Sequence, residues 1–297
     1  MEKIMECVAN FSEGRDQEKI EQIADAFRNR HGVKLLDYSS DLDHNRTVIT
    51  AIGEPAALRD AAVDAIGAAV RLIDLRQQHG LHPRIGAADV VPFIPLRGCD
   101  TAEAVALARE TAALVASRYQ LPIYLYEQAA SAPHRQNLAD VRRGQFEGLA
   151  EKMRDPLWQP DFGPAEPHPS AGATAIGARL PLIAFNIELT TNDVEIARAI
   201  ARTIRHSNGG YRCVKALGLY LAQHDSAQVS INLTDYTQTA LYRVVEAVRT
   251  EARRYGVGIR CSELIGLIPL QAVADTAAYY LQLPSLSAAS VLETHFE

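Results

Sequence analysis

The chain has 297 residues, a net charge of −6, 47% hydrophobic and 22% charged residues. That length suits one large domain or two ordinary ones with a sizeable core, and an acidic balance without a long Lys/Arg stripe argues against nucleic acid as a partner. No run approaches the ~18 apolar residues of a membrane span; the start "MEKIMECVANF" is no secretory signal, and Cys7, Cys99, Cys213 and Cys261 are too scattered for a zinc or disulfide framework, so a reducing cytoplasm fits best.

In chain order, "IMECVA" at 4–9 reads as a buried strand. "DQEKIEQIADAFRNR" at 16–30 reads as an amphipathic helix, with Ile20, Ile23, Ala24 and Phe27 at helical spacing. Strands follow at 33–38 and 46–53, flanking a polar loop "SSDLDHN" at 39–45. Pro55 suits the first position of an Ala-rich helix over 55–75. The loop "HGLHPRIG" at 79–86 leads into a strand at 89–96. Asp100 and Glu103 have capping-box spacing and open a helix over 100–119. A strand at 121–127 comes next. Residues 155–181 are rich in Pro and Gly, carry the sole Trp, and read as the boundary between two domains, 1–178 and 179–297.

After the boundary the order repeats. A strand at 182–189 precedes a helix over 192–204, with Ile196, Ile200 and Ile204 on one stripe. A strand at 214–222 is followed by "QVSINLT" at 228–234, which alternates. Val229, Ile231 and Leu233 share one face; Gln228, Ser230 and Asn232 share the other. A helix over 237–256 turns Leu241, Val244, Val245 and Val248 inward and stops at Gly256. Residues 46–66 can be laid on 228–248 without a gap, and "FIPLRG" at 93–98 resembles "LIPLQA" at 267–272. Each half therefore reads β-α-β-β-α-β, and the expected fold is α+β. It would consist of two ferredoxin-like (split βαβ) α/β-sandwich subdomains related by internal duplication, each with a four-stranded antiparallel sheet, and a cleft between them.

The duplication isolates one loop. The span from Thr47 to Phe93 is longer by eight positions than that from Val229 to Leu267, and the excess falls where "HGLHPRIG" lies. A His- and Arg-bearing addition that the folding unit does without is better explained by function than by packing. Pro83 restricts the backbone of His82 to extended conformations, and an imidazole can both take and give a proton near neutrality. His79 and His82 form H-x-x-H, but no carboxylate or Cys stands at ligand spacing, so no metal is expected. There is no G-x-G-x-x-G after a strand, no Walker A sequence and no G-x-S-x-G elbow, which argues against dinucleotide enzymes, NTPases and the common serine hydrolases.

The stretches "ECVANFSEG" at 6–14, "NRTV" at 45–48, "HPRIGAADVVPFIP" at 82–95, "PDFGP" at 160–164, "GATAIGAR" at 172–179, "LIAFNI" at 182–187 and "SELIGLIPL" at 262–270 resemble the formiminotransferase family over nearly the whole chain. The resemblance implies transfer of the formimidoyl group from N-formimidoyl-L-glutamate to tetrahydrofolate, a co-substrate, within histidine breakdown. It implies that His82 is the catalytic acid/base and that a folate-binding segment maps onto Gly163 to Gly172, with Gly163, Pro164, Gly172, Ala173 and Thr174 as candidate substrate- or folate-binding residues. Both substrates carry glutamate carboxylates, for which Arg46 and Arg84 are the candidate partners. Asn10 and Asn45 are candidates for polar substrate edges, Asp41 or Asp43 for orienting the imidazole, and Gln228 and Asn232 for lining the cleft from the second half. Two positions depart from the family pattern: Ser39 where an aspartate is expected, and Ala171 where a tryptophan is expected. A homodimer is expected, with neither membrane nor nucleic acid as partner. Two alternatives share these residues: a formyltransferase acting on N-formylglutamate or 5-formyltetrahydrofolate, and a non-catalytic folate-binding module.

Overall fold

The apolar N-terminal run becomes a central strand. β1 (Ile4–Phe11) lies antiparallel between β3 (Arg46–Gly53) and β4 (Ala88–Arg97), and β2 (Val33–Asp41) pairs antiparallel with the far side of β3. Helices α1 (Gln17–Ala24), α2 (Pro55–Leu72) and α3 (Thr101–Tyr119) complete this part of the chain. The period-2 alternation of β1 buries Met5, Cys7, Ala9 and Phe11 in one core with α2 and α3. Asn10 falls between two of those core residues and so faces the other way. The capping box at the start of α3 is present: Asp100 Oδ1 accepts from the Glu103 amide at 2.9 Å, and Glu103 Oε2 from the Asp100 amide at 3.1 Å.

The computed structural model describes residues 3–42, 44–80 and 82–296. Two units divide the chain, Met1–Arg179 and Leu180–Glu297. The sheet of the first unit does not stop at the expected four strands. β5 (Ile123–Glu127) and β6 (Thr174–Ala178) extend it to six, in the order β2-β3-β1-β4-β6-β5, and the β4–β6 and β6–β5 junctions are parallel. Two short helices, α4 (Leu138–Val141) and α5 (Leu149–Lys152), supply Val141 and Leu149 to a smaller core with Ile85, Val90, Tyr124 and Tyr126.

The second unit has β7 (Ile183–Leu189), α6 (Val194–Ile204), β8 (Val214–Leu221), β9 (Ser226–Leu233), α7 (Leu241–Arg254), β10 (Ile259–Ile265) and α8 (Leu270–Leu281). Its sheet is antiparallel throughout, in the order β10-β7-β9-β8. Val229, Ile231 and Leu233 are buried on the core face of β9, as the alternation requires.

Three expectations are corrected. Residues 155–181 are not wholly a boundary, because 174–178 form β6 in the interior of the first sheet. The run is Ala- and Gly-rich because space is short: a Cβ on Gly177 would stand 2.6 Å from the Tyr126 ring. The polar loop at 39–45 is shorter than read, since β2 continues to Asp41. The last strand of the second half is Ile259–Ile265, and "LIPLQA" instead leads into α8. The connection from α2 to β4 thus runs from 73 to 87, against only 255 to 258 from α7 to β10, so the extra length around His82 exceeds the expected eight residues.

Candidate functional site

The long connection is held by backbone at its far end. The Ala87 amide donates to Ala171 O and the Ala173 amide to Ile85 O, both at 2.9 Å, and Ser12 donates through its amide to Ala87 O at 2.8 Å and through Oγ to Gly86 O at 2.7 Å. Gly86 and Gly172 face each other across this ladder, where a Cβ on Gly172 would lie 2.1 Å from Ile85 O and where its φ is +69°. The near end is fixed by Asn45, which sits at φ +48° in the β2–β3 turn. Its side chain accepts from the Gly14 amide at 2.8 Å and donates to His79 O at 3.0 Å, and its own carbonyl accepts from Gln78 Nε2 at 2.9 Å.

Between these anchors Ser12, His44, Asn45, Arg46, Gln78, His82, Arg84 and Asp89 line a small pocket. The imidazole of His82 is half-buried and both its ring nitrogens contact Arg46 Nη1. Arg46 turns Nε, at 3.0 Å, and Nη2 to Asn10 Oδ1. Asp89, 2% exposed, accepts from the Ile85 amide at 2.9 Å and pairs with Arg142, which follows α4.

The electrostatics keep the imidazole neutral. Burial, then the Arg46 and Arg142 guanidiniums, push the His82 pKa from its ordinary 6.5 down to about 3, against a smaller opposing pull from Asp89. Burial and the neighbouring Arg142 lower Arg46 to about 10, which leaves it charged at neutral pH. The unfolded chain protonates His82 near its ordinary pKa, whereas the fold does not until about pH 3. The ring's contribution to stability is therefore complete above about pH 6.5 and is lost as the pH falls toward about 3. Guanidinium unfolding midpoints between pH 7 and about pH 4.5 should fall further for the wild-type chain than for His82→Gln; equal falls would mean that the ring is not held neutral.

The structure gathers Asn10, Asn45, Arg46, His82 and Arg84 at this pocket. Arg84 is buried and its guanidinium is occupied: it pairs with Glu147 at 2.8 and 3.0 Å and donates to Gln78 Oε1 at 2.9 Å and Gln78 O at 3.2 Å. Asp41 is exposed and caps the turn, accepting from the His44 amide at 2.7 Å and pairing with His44 Nδ1 at 2.9 Å. It meets His44 rather than His82; the two imidazole centroids are 6.2 Å apart. Asp43 lies outside the described residues. Gly172, Ala173 and Thr174 flank the loop as backbone, and the buried Thr174 hydroxyl donates to Ala88 O at 2.6 Å. Gly163 and Pro164 lie instead beside β5, where a Cβ on Gly163 would stand 2.5 Å from Leu121 O. Gln228 is buried and Asn232 exposed, both on β9 of the second unit. Ser39 is exposed on β2 opposite Val48, and Ala171 is sealed in the first core.

Ser12, His44, Gln78, Asp89 and Arg142 are neighbours that residue patterns did not single out. Ser12 lies inside the quoted "ECVANFSEG" stretch and His44 next to "NRTV", so adjacency to those motifs could have flagged both. Asp89 lies inside the quoted "HPRIGAADVVPFIP" stretch and could have been flagged in the same way, whereas Gln78 and Arg142 carry no sequence signal, being lone polar residues brought in by the fold.

Two family descriptions match the chain. Residues 4–179 match the formiminotransferase domain, N-terminal subdomain, and residues 184–294 match the formiminotransferase domain. A glutamate formimidoyltransferase of Streptococcus pyogenes serotype M1 is 46% identical over 99% of both chains. One of Thermoplasma acidophilum is 44% identical over 99% of this chain and 97% of its own. A formimidoyltransferase-cyclodeaminase of Rattus norvegicus is 43% identical over 94% of this chain but only 53% of its own.

Proposed function

The chain belongs to the formiminotransferase family, and on that premise we propose that it transfers the formimidoyl group from N-formimidoyl-L-glutamate to tetrahydrofolate, with His82 moving the protons. The observation that carries this reading is the neutral, half-buried imidazole facing a guanidinium-lined pocket. Tetrahydrofolate supplies a nucleophilic nitrogen that must lose a proton, and the departing glutamate nitrogen must gain one. A neutral imidazole accepts the first and returns the second, so no nucleophilic side chain is required. Arg46, whose neighbours Asn10 and His82 are neutral, gives the pocket the positive potential that suits a donor with carboxylates. Asn10 and Asn45 hold Arg46 and the His82 connection in register. Gly172 to Thr174 support the loop through backbone, and we place the pteridine near that segment rather than at Gly163.

The matching element order and the matching strand orders, β2-β3-β1-β4 and β10-β7-β9-β8, support reading the two units as ferredoxin-like halves of one duplication. The deciding assay mixes purified protein with tetrahydrofolate and either N-formimidoyl- or N-formylglutamate and follows the folate product by absorbance. Turnover with the formimidoyl donor is expected. Folate binding without turnover of either donor would replace the enzyme reading with a binding module.

A further inference from the structure

Arg46, half-buried, is unlike the arginines more deeply enclosed in its unit. Arg84 faces Glu147, Arg135 faces Asp161 and Arg142 faces Asp89. Among the described residues no carboxylate pairs with Arg46: its donors go to the amide oxygen of Asn10 and to the accepting imidazole nitrogen of His82, both neutral. A desolvated guanidinium without a counter-ion is a ready partner for an anion, because a carboxylate offers it two charge-assisted hydrogen bonds. The imidazole that must work as a base has its accepting, unprotonated nitrogen engaged by this same group. We propose that Arg46 is a substrate-operated clasp on His82: its guanidinium holds the imidazole in the free protein, and a carboxylate of the donor draws it off, so that only acidic donors meet an open base.

The proposal rests on the reading above that the donor is an acidic amidine. It changes what a carboxylate does for the reaction. If carboxylate binding only added affinity, a donor without one would suffer in KM alone. If it opens the base, that donor suffers in kcat, because the binding energy is realised at the reacting centre. The groups around the ring fit this division. Arg142 is tied to Asp89 on β4, Arg84 to Glu147, and His44 to Asp41 in the β2–β3 turn. Arg46, from β3, is the charged neighbour left to exchange partners. Its departure also removes one of the two cationic neighbours that hold the ring neutral, so the proton affinity of His82 rises as the donor binds.

The first test needs no turnover. The His82 ring resonance, assigned by its loss in His82→Gln, is titrated by NMR in the full chain with and without saturating propane-1,3-disulfonate, a dianion that stays charged down to about pH 3 where the ring titrates. The disulfonate is expected to move the midpoint up by about one unit or more, and by reciprocity its own affinity should rise about tenfold as the pH falls through that window. In Arg46→Gln the midpoint should start higher and ignore the disulfonate. A titration that the disulfonate leaves in place, or a disulfonate shift that persists in Arg46→Gln, overturns the clasp. The second test compares N-formimidoylglutamate with N-methylformamidine. The kcat ratio is expected to exceed about tenfold in the wild type and to shrink in Arg46→Gln; a ratio that the variant leaves unchanged also overturns it. A chain that turns over neither donor would sink the proposed function while the disulfonate titration still decides the clasp.

Discussion

His82→Gln is expected to lower kcat by roughly 10²- to 10⁴-fold, the usual worth of a positioned acid/base, while folate KM changes by less than about threefold. Glutamine fills much the same volume and can still receive a hydrogen bond from Arg46, so the pocket keeps its shape. It cannot accept and return a proton. The loss should therefore appear in kcat and in kcat/KM together, and stopped-time assays at saturating folate and donor give both. Turnover within a few-fold of the wild type would take His82 out of the chemistry, whatever its place in the pocket. A fall confined to KM would make it a binding residue instead.

Asp89→Asn is expected to destabilise the fold by about 3–5 kcal/mol, because it leaves the Arg142 guanidinium without its counter-charge away from water. The Asp89 side chain is 3% exposed and that of Arg142 11%, so solvent offers little screening. The isosteric amide keeps the acceptor for the Ile85 amide, which confines the effect to charge. Arg142 Nε is already buried without a hydrogen-bond partner among the described residues, so that side chain has no reserve of contacts. The double variant Asp89→Asn/Arg142→Met should recover most of the loss, since replacing both members of a buried pair by groups of similar volume is close to neutral. Guanidinium midpoints of the three chains make the comparison. A single-variant loss under about 1 kcal/mol would mean that the pair is solvated in solution.

The sequence told some of this plainly and some not at all. β3 was legible to the residue because it is an apolar strand with a Pro-led helix behind it, and α3 because its first four residues carry a capping box. β9 announced itself by alternation. β6 did not: a strand sealed on both faces shows no alternation, and Ala and Gly are poor strand formers. β10 was missed for the opposite reason, since "IRCSELI" is an almost wholly exposed edge strand with no core face to mark it. His82 stood out because the repeat exposed its loop as surplus and because it opens a stretch that resembles the family. The pairing of Arg84 with Glu147 joins residues far apart in the chain, and no spacing rule could show that its guanidinium was already occupied.

The position of β6 bears on how the protein is made. It is the last strand of its unit to leave the ribosome, yet it ends up inside the sheet, and β5 has no other strand neighbour. The newborn chain can pair β1 through β4 as soon as they emerge, but β5 has to wait for a partner synthesised some fifty residues later. Ser12 and Asn45 can hold the His82 loop early, but the hydrogen bonds it shares with Ala171, Ala173 and Thr174 are absent until that moment. Completion of the His82 loop is thus a late step in building the first unit, and a nascent chain halted before residue 171 would carry the histidine on a loop missing one side of its backbone ladder.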